Sequence, residues 1–227
     1  NLLVLDLLKT SKGVKMTYSE RVLEKIKEHK AGCNLGHTSM VFLALISVNH
    51  VLVKVHCERV ALLAENAARV LDLDVKAAFF AGLLHDIGKL TLPSGLFDDG
   101  EIDAEEYQQI KTHAIAAYEI LDDFHLFIAL CAGLHHAVYE HGYGLTTEEL
   151  PKNWPVELKN KVIRIATLVS ICDFVDAASH RKSRFIEASS LKVRKEDSSL
   201  RDKLIEQYPN KETTIDAVLE ANQEFVA

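Results

Sequence analysis

Residues 85–89 read His-Asp-Ile-Gly-Lys, and an adjacent imidazole and carboxylate can both reach one cation while the carboxylate extends to a second. Lys89 falls close enough to set a positive charge beside whatever such cations hold. A single His-Asp pair is a common structural device. This pair gains weight from the further candidate ligands His56, His113, the His135-His136 doublet and Asp173. Imidazole nitrogen and carboxylate oxygen together suit Mn, Fe or Zn. His29, His37, His50, His125 and His180 have no place in the set and read as structural residues. His141, on a loop beyond the doublet, reads as a solvated side chain, with substrate contact or proton transfer as its other role.

Helices must position these groups. The chain has 227 residues with 48% hydrophobic content, only 4 Pro and 10 Gly, and is rich in Ala, Leu, Glu and Lys. That composition favours helices around one substantial core. Thr17-Tyr18-Ser19-Glu20 has the form of a capping box and starts a short amphipathic helix. Residues 38–71 read as two helices with a break near Asn49, the second carrying His56. Asp74 caps a helix with apolar positions Ala77, Ala78, Ala81 and Leu84, whose last turn carries His85 and Asp86, and Gly88 stands where a terminating glycine belongs. A helix begun at Asp103 carries His113, and another from Phe124 to Ala137 delivers His135 and His136. Pro155 opens a long helix to about Ala178, on which Asp173 and Asp176, three residues apart, share a face. Asp176 reads equally as an orienting partner for a ligand or as a partner of Arg181. Residues 189–199 read as a linker, and 200–226 as one or two short helices.

The formal net charge of −7 argues against a general binder of duplex nucleic acid. Cys33, Cys57, Cys131 and Cys172 form no C-x-x-C pair and read as reduced thiols of a cytoplasmic protein. The most apolar stretch, Met40 to Val53, is too short to span a bilayer. The chain starts at Asn1 rather than Met, as a processed chain or a piece of a longer one would.

In order and spacing, His56-Cys57-Glu58-Arg59-Val60, His85-Asp86-Ile87-Gly88-Lys89, Ile110-Lys111-Thr112-His113, His135-His136 and Cys172-Asp173-Phe174-Val175-Asp176-Ala177 resemble the HD superfamily of metal-dependent phosphohydrolases, and within it the HD-GYP subgroup. The resemblance implies an all-α HD-domain helical bundle spanning 38–188, with a helical extension at 1–37 and a linker and helical segment at 189–227. It implies that His56, His85, Asp86 and Asp173 hold one divalent transition metal and that His113, His135 and His136 hold a second, with Asp86 bridging. Fe or Mn is expected, with Zn, Ni and Co as alternatives. Relatives with a third metal carry a Glu one turn before the first His; Leu52 stands there, so two metals are expected. Asp86 and Lys89 are the implied catalytic groups, and Lys89, Arg181 and Arg184 the implied phosphate-gripping ones. The reaction implied is in-line attack by hydroxide on a phosphodiester of a small molecule, a cyclic dinucleotide such as cyclic-di-GMP.

The chain departs from the subgroup in the stretch usually written H-H-E-x-x-D-G-x-G-Y-P. Here it runs His135 to Gly144, with Ala137 for the Glu and Gly144 for the Pro. A freer, less selective loop is expected from the loss of the Pro ring. Tyr139 and Tyr143 on this loop could stack on a base or pack on the domain, and Lys111 reads as a solvated helix charge. The acidic run Asp98-Asp99-Gly100-Glu101 reads as a turn. An HD-fold di-iron oxygenase and a non-catalytic sensor module stay open as alternatives. Oligomeric state is not legible.

Overall fold

The computed structural model describes residues 16–29, 33–97, 102–139, 141–180 and 199–226. Among them every regular element is helical, as expected. Arg181, Arg184, the 98–101 run and most of the 189–199 linker lie outside the described residues.

Helix α1 (Tyr18–Glu28) starts at the foreseen capping box, with Thr17 N–H donating to Glu20 Oε2 at 2.8 Å. Its apolar face buries Val22 and Ile26, while Ser19 and His29 reach Glu58 and Glu65 across the interface at 2.7 and 3.1 Å. Those two carboxylates lie on α3 (Val51–Val70), which follows α2 (Cys33–Asn49) after a break at His50. The break is placed as expected near Asn49, with His50 at φ −139°, ψ 60° and its ring buried edge-on to Phe97.

Helix α4 (Val75–Leu84) is enclosed by several neighbours. Asp74 caps it through Ala77 N–H at 2.8 Å, as expected. The sequence suggested one apolar face, but every residue from Ala78 to Leu84 is buried. The reason is that α4 packs simultaneously on α3, on α6 (His113–Leu134) and on α7 (Val156–His180). Burying a Phe or Leu side chain such as Phe79, Phe80, Leu83 or Leu84 contributes about 1.5–3 kcal/mol.

Between α4 and α6 lie two short 3₁₀ turns, Ile87–Thr91 and Ser94–Phe97, and α5 (Ala104–Lys111), capped by Asp103. The chain breaks at Thr112, so His113 opens α6 instead of riding inside the helix begun at Asp103. The expected separation before the doublet survives as a kink at His125, φ −159° and ψ 85°. Pro155 precedes α7 as predicted. The chain from 200 onward forms α8 (Leu200–Gln207) and α9 (Glu212–Val226). Helix α9 packs on α3 and α7 through buried Ile215 and Val218, and Tyr208 donates to Ser170 O at 3.1 Å. No described helix is long and apolar enough to cross a membrane.

Candidate metal centre

All seven residues read from the sequence as metal ligands converge. His56 comes from the second turn of α3, His85 and Asp86 from just past the end of α4, and His113 from the start of α6. His135 and His136 follow the end of α6, and Asp173 lies on α7. Their ligand atoms form compact trios: His56, His85 and Asp173; His113, His135 and His136. A third grouping, His85, Asp86 and His135, links the two. Asp86 lies between the trios. Its Oδ2 is 3.5 Å from His56 Nε2 and 3.4 Å from His85 Nε2, and its Oδ1 is 3.2 Å from His113 Nε2.

Helix termini aim the rings. The last carbonyls of a helix have no partner within it. His85 Nδ1 donates to Gly82 O at 2.8 Å at the end of α4, and His113 Nδ1 to Ile110 O at 2.6 Å at the end of α5. His135 Nδ1 donates to Ala132 O at the end of α6. Each of these rings satisfies an orphan acceptor three residues back, which places the proton on Nδ1 and leaves the Nε2 lone pair facing inward. His56, inside a helix, finds no such carbonyl and turns Nδ1 to Asp176 Oδ2 at 2.7 Å. Arg59 grips the same carboxylate with two bonds, 2.6 and 2.8 Å. Of the two roles left open for Asp176, the hydrogen bond to His56 supports the orienting one, while Arg181 lies outside the described residues. His136 Nδ1 meets the Tyr139 hydroxyl at 3.3 Å.

Gly88 does not terminate α4. It lies in the Ile87–Thr91 turn, where a Cβ would fall 2.0 Å from His113 O and 2.6 Å from Ala117 N. Its hydrogen lets the turn press against the first turn of α6, which brings Asp86 and His113 together. Asp86 itself sits at φ −100°, ψ 10°, the bridge region that active-site residues frequent. Lys89, 4% exposed, donates to Asp86 Oδ2.

The electrostatics favour ionised carboxylates and neutral imidazoles. Burial pushes the Asp86 carboxyl up, but Lys89, His85 and His113 outweigh it and hold the group well below the usual range. Asp173 behaves likewise, through His56 first and then His85 and His136. Burial drives His85 and His136 down and takes His135 to about 3. The consequence is a test of fit for a cation. Fully buried His85 Nε2 has no hydrogen bond, yet faces carboxylate oxygens at 3.4 and 4.0 Å. A neutral ring turned this way sets lone pair against lone pair, and a divalent cation between them removes the conflict. The mixed nitrogen and oxygen donors suit a first-row transition metal.

Over the second trio lies the divergent loop. Tyr143 stacks on His136 with ring centroids 4.4 Å apart and planes at 27°. Tyr143 N–H donates to His136 O at 3.0 Å, and Leu145 N–H to Gly133 O at 2.9 Å. Gly144 holds φ +106°, open to glycine and closed to proline. The glycine expected to free the loop therefore serves a tight anchored turn. Lys111, read as a solvated charge, instead sits over the rings of Tyr107 and Tyr143, 4.7 and 5.7 Å from their centroids. Arg59 and the Tyr143–His136 stack are the functional contacts that sequence reasoning missed. The available signal for the first was register: Arg59 follows His56 by three residues, as Asp176 follows Asp173, so the two pairs share facing surfaces.

Two of the histidines read as structural make contacts away from the ligand rings. His29 pairs with Glu65 and lies against Phe79, and His180 lies 3.2 Å from Asp176. Leu52, at the position considered for a third metal, is 58% exposed.

Comparison with known proteins gives this arrangement a context. The family model described as HD domain matches residues 53–178. Two curated proteins of Vibrio cholerae serotype O1 are similar to parts of the chain. The 3'3'-cGAMP-specific phosphodiesterase 3 is 38% identical over 87 residues, covering 36% of this chain and 19% of that protein. The 3'3'-cGAMP-specific phosphodiesterase 1 is 33% identical over 113 residues, covering 45% and 26%. The match thus spans about a quarter or less of either relative. The crystal structure of the L. monocytogenes phosphodiesterase PgpH HD domain shares the fold, with a TM-score of 0.51 and 21% identity over 82% of this chain and 99% of that one.

Proposed function

Starting from the fact that the chain belongs to the HD domain family, we propose that it is a metal-dependent phosphodiesterase of HD-GYP type, hydrolysing a 3',3'-cyclic dinucleotide at a centre of two divalent cations, Fe or Mn. The observation that carries this reading is Asp86, whose two carboxylate oxygens face different trios at 3.2–3.5 Å. A carboxylate so placed suits a bridge between two cations with His56, His85 and Asp173 on one and His113, His135 and His136 on the other. The substrate class draws on the two Vibrio relatives, named for 3'3'-cGAMP, and cyclic-di-GMP belongs to the same class.

When bound, the cations would supply Lewis acidity toward water and toward the phosphoryl oxygens. The protein residues keep that centre ready. Lys89 holds Asp86 ionised and in line, and adds positive charge where phosphate charge builds. The Arg59–Asp176 pair fixes the His56 ring, and the helix-end carbonyls fix His85, His113 and His135, so little reorganisation is left for the chemical step. Arg181 and Arg184, which follow α7 in the sequence, are proposed as further phosphate contacts.

The test is direct. Metal-stripped protein reloaded with Mn or Fe should hold two ions per chain by elemental analysis, and Leu52 leaves no donor for a third. Incubated with 3'3'-cGAMP or cyclic-di-GMP, it should release the linear dinucleotide, resolved by chromatography over time. Failure to cleave any diester, including a chromogenic one, with two metals bound would overturn the proposal.

A further inference from the structure

Two lysines flank the centre in opposite circumstances. Lys89 is buried and committed to Asp86. Lys111, at the end of α5 and two residues before His113, forms no ion pair among the described residues. Its ammonium is instead held over two aromatic faces, Tyr107 at 4.7 Å and Tyr143 at 5.7 Å. Tyr143 in turn stacks on His136 and meets the His113 ring edge-on at 6.0 Å. A cation poised on rings keeps its hydrogen-bond donors, because the ring faces attract the charge without accepting strong hydrogen bonds. Tyr143 is only partly exposed and presents its ring face to the ammonium. The result is a positive group with no counter-anion among the described residues, one aromatic ring away from the His113 trio.

Resting on the phosphodiesterase reading, we propose that Lys111, seated on Tyr107 and Tyr143, binds the second phosphate of a cyclic dinucleotide, the one not being cleaved, and so sets preference for two-phosphate substrates over simple diesters. A cyclic dinucleotide presents two phosphates on one ring of backbone. While one lies at the metal centre, the other must find a cation nearby or stay in water. Lys89 answers to the first through Asp86; Lys111 answers to the second.

The test compares Lys111→Met and Lys111→Arg with the parent protein, each metal-loaded and checked for two ions per chain. The substrates are 3'3'-cGAMP and bis(p-nitrophenyl) phosphate. In Lys111→Met the ratio of kcat/KM between the dinucleotide and the chromogenic diester should fall about tenfold or more, the size of one charge-assisted contact. The loss should appear in KM, and Lys111→Arg should recover most of it. Equal losses on both substrates would mark a structural role, and no change on either an idle lysine; both overturn the proposal. Calorimetric titration with a phosphorothioate analogue of the dinucleotide reads the subsite without turnover. If the parent protein cleaves neither substrate, the phosphodiesterase reading falls. The subsite then stands only if the analogue binds the parent about tenfold more tightly than Lys111→Met.

Discussion

The two halves of the metal centre are built differently. The half around His56 and Asp173 takes its groups from the interiors of α3 and α7, where helical register sets which residues face inward. A buried hydrogen-bonded pair, Arg59 with Asp176, steadies it from behind. The half around His113, His135 and His136 takes its groups from helix ends and is covered by an aromatic loop. Apart from His85, whose ring is held by Gly82 O at the end of α4, the first half depends on charge and register, and the second on capping and stacking. They meet at Asp86, which belongs to neither helix interior nor loop.

Removing the meeting point should have the largest effect. Asp86→Ala deletes the groups that face both trios, and both metal retention and turnover should vanish, read by elemental analysis and diester hydrolysis. Retention of two ions would show that the halves bind independently.

Next comes the support of one half. Asp176→Asn leaves the His56 ring without its carboxylate partner, and metal affinity should fall about 10–100-fold. The weakened ion should be the one in the His56 half, visible in competition with a chelator. Equal weakening of both ions would erase the distinction between the halves. Arg59→Met should do less, because His56 keeps its bond to Asp176.

The other half is tested through its loop. Gly144→Ala forces a side chain into φ +106° and towards Gly133 O, which an added Cβ would meet at 2.4 Å. A cost of about 1–3 kcal/mol in denaturant unfolding is expected. Gly144→Pro should cost at least as much, since the ring cannot take that φ.

The halves should also part company in acid. The Asp176 carboxyl is held at about 2 by Arg59 and His56 against the opposing effect of burial. A depressed folded pKa means that this stabilisation is fully present above the unfolded value near 3.8 and is lost as pH falls towards 2. The stake is on the order of 2 kcal/mol. Metal-free parent protein and Asp176→Asn should therefore unfold with a stability gap that narrows below pH 4. A constant gap would mean that Asp176 acts by shape and not by charge. The smallest effect should come from Tyr139→Phe, which removes only the 3.3 Å contact to His136 and should change turnover by less than about threefold.

The contrast between the halves is also a contrast in what a sequence reveals. Helix existence, the caps at Thr17, Asp74 and Asp103, and the break before Val51 follow from local preferences, and the sequence announces them. The ligand residues are legible because motif spacing carries them. The Arg59–Asp176 pair joins residues 117 positions apart, and only the packing of α3 on α7 brings them together. The stripe read on α4 left out Phe79, Phe80 and Leu83, apolar side chains whose burial all round is supplied by three neighbouring helices. Gly88 and Gly144 looked like a helix stop and a loosened loop. Their tasks are a close approach to His113 and a left-handed turn, which depend on what lies opposite. The placement of Lys111 over Tyr143 was not legible because that ring comes from a distant loop.

The pairing of ring nitrogens with terminal carbonyls ties metal loading to backbone breathing. Helix ends ordinarily fray first. The last turns of α4 and α6 cannot do so without releasing the Nδ1 protons of His85 and His135 and letting the rings swing from the centre. Occupancy of the site should accordingly slow amide exchange in the turns following Gly82 and Ala132 more than in the middle of either helix. Bound ions would then act as clasps on the secondary structure itself, and fluctuations of these two helix ends would set how fast the centre opens to exchange its contents.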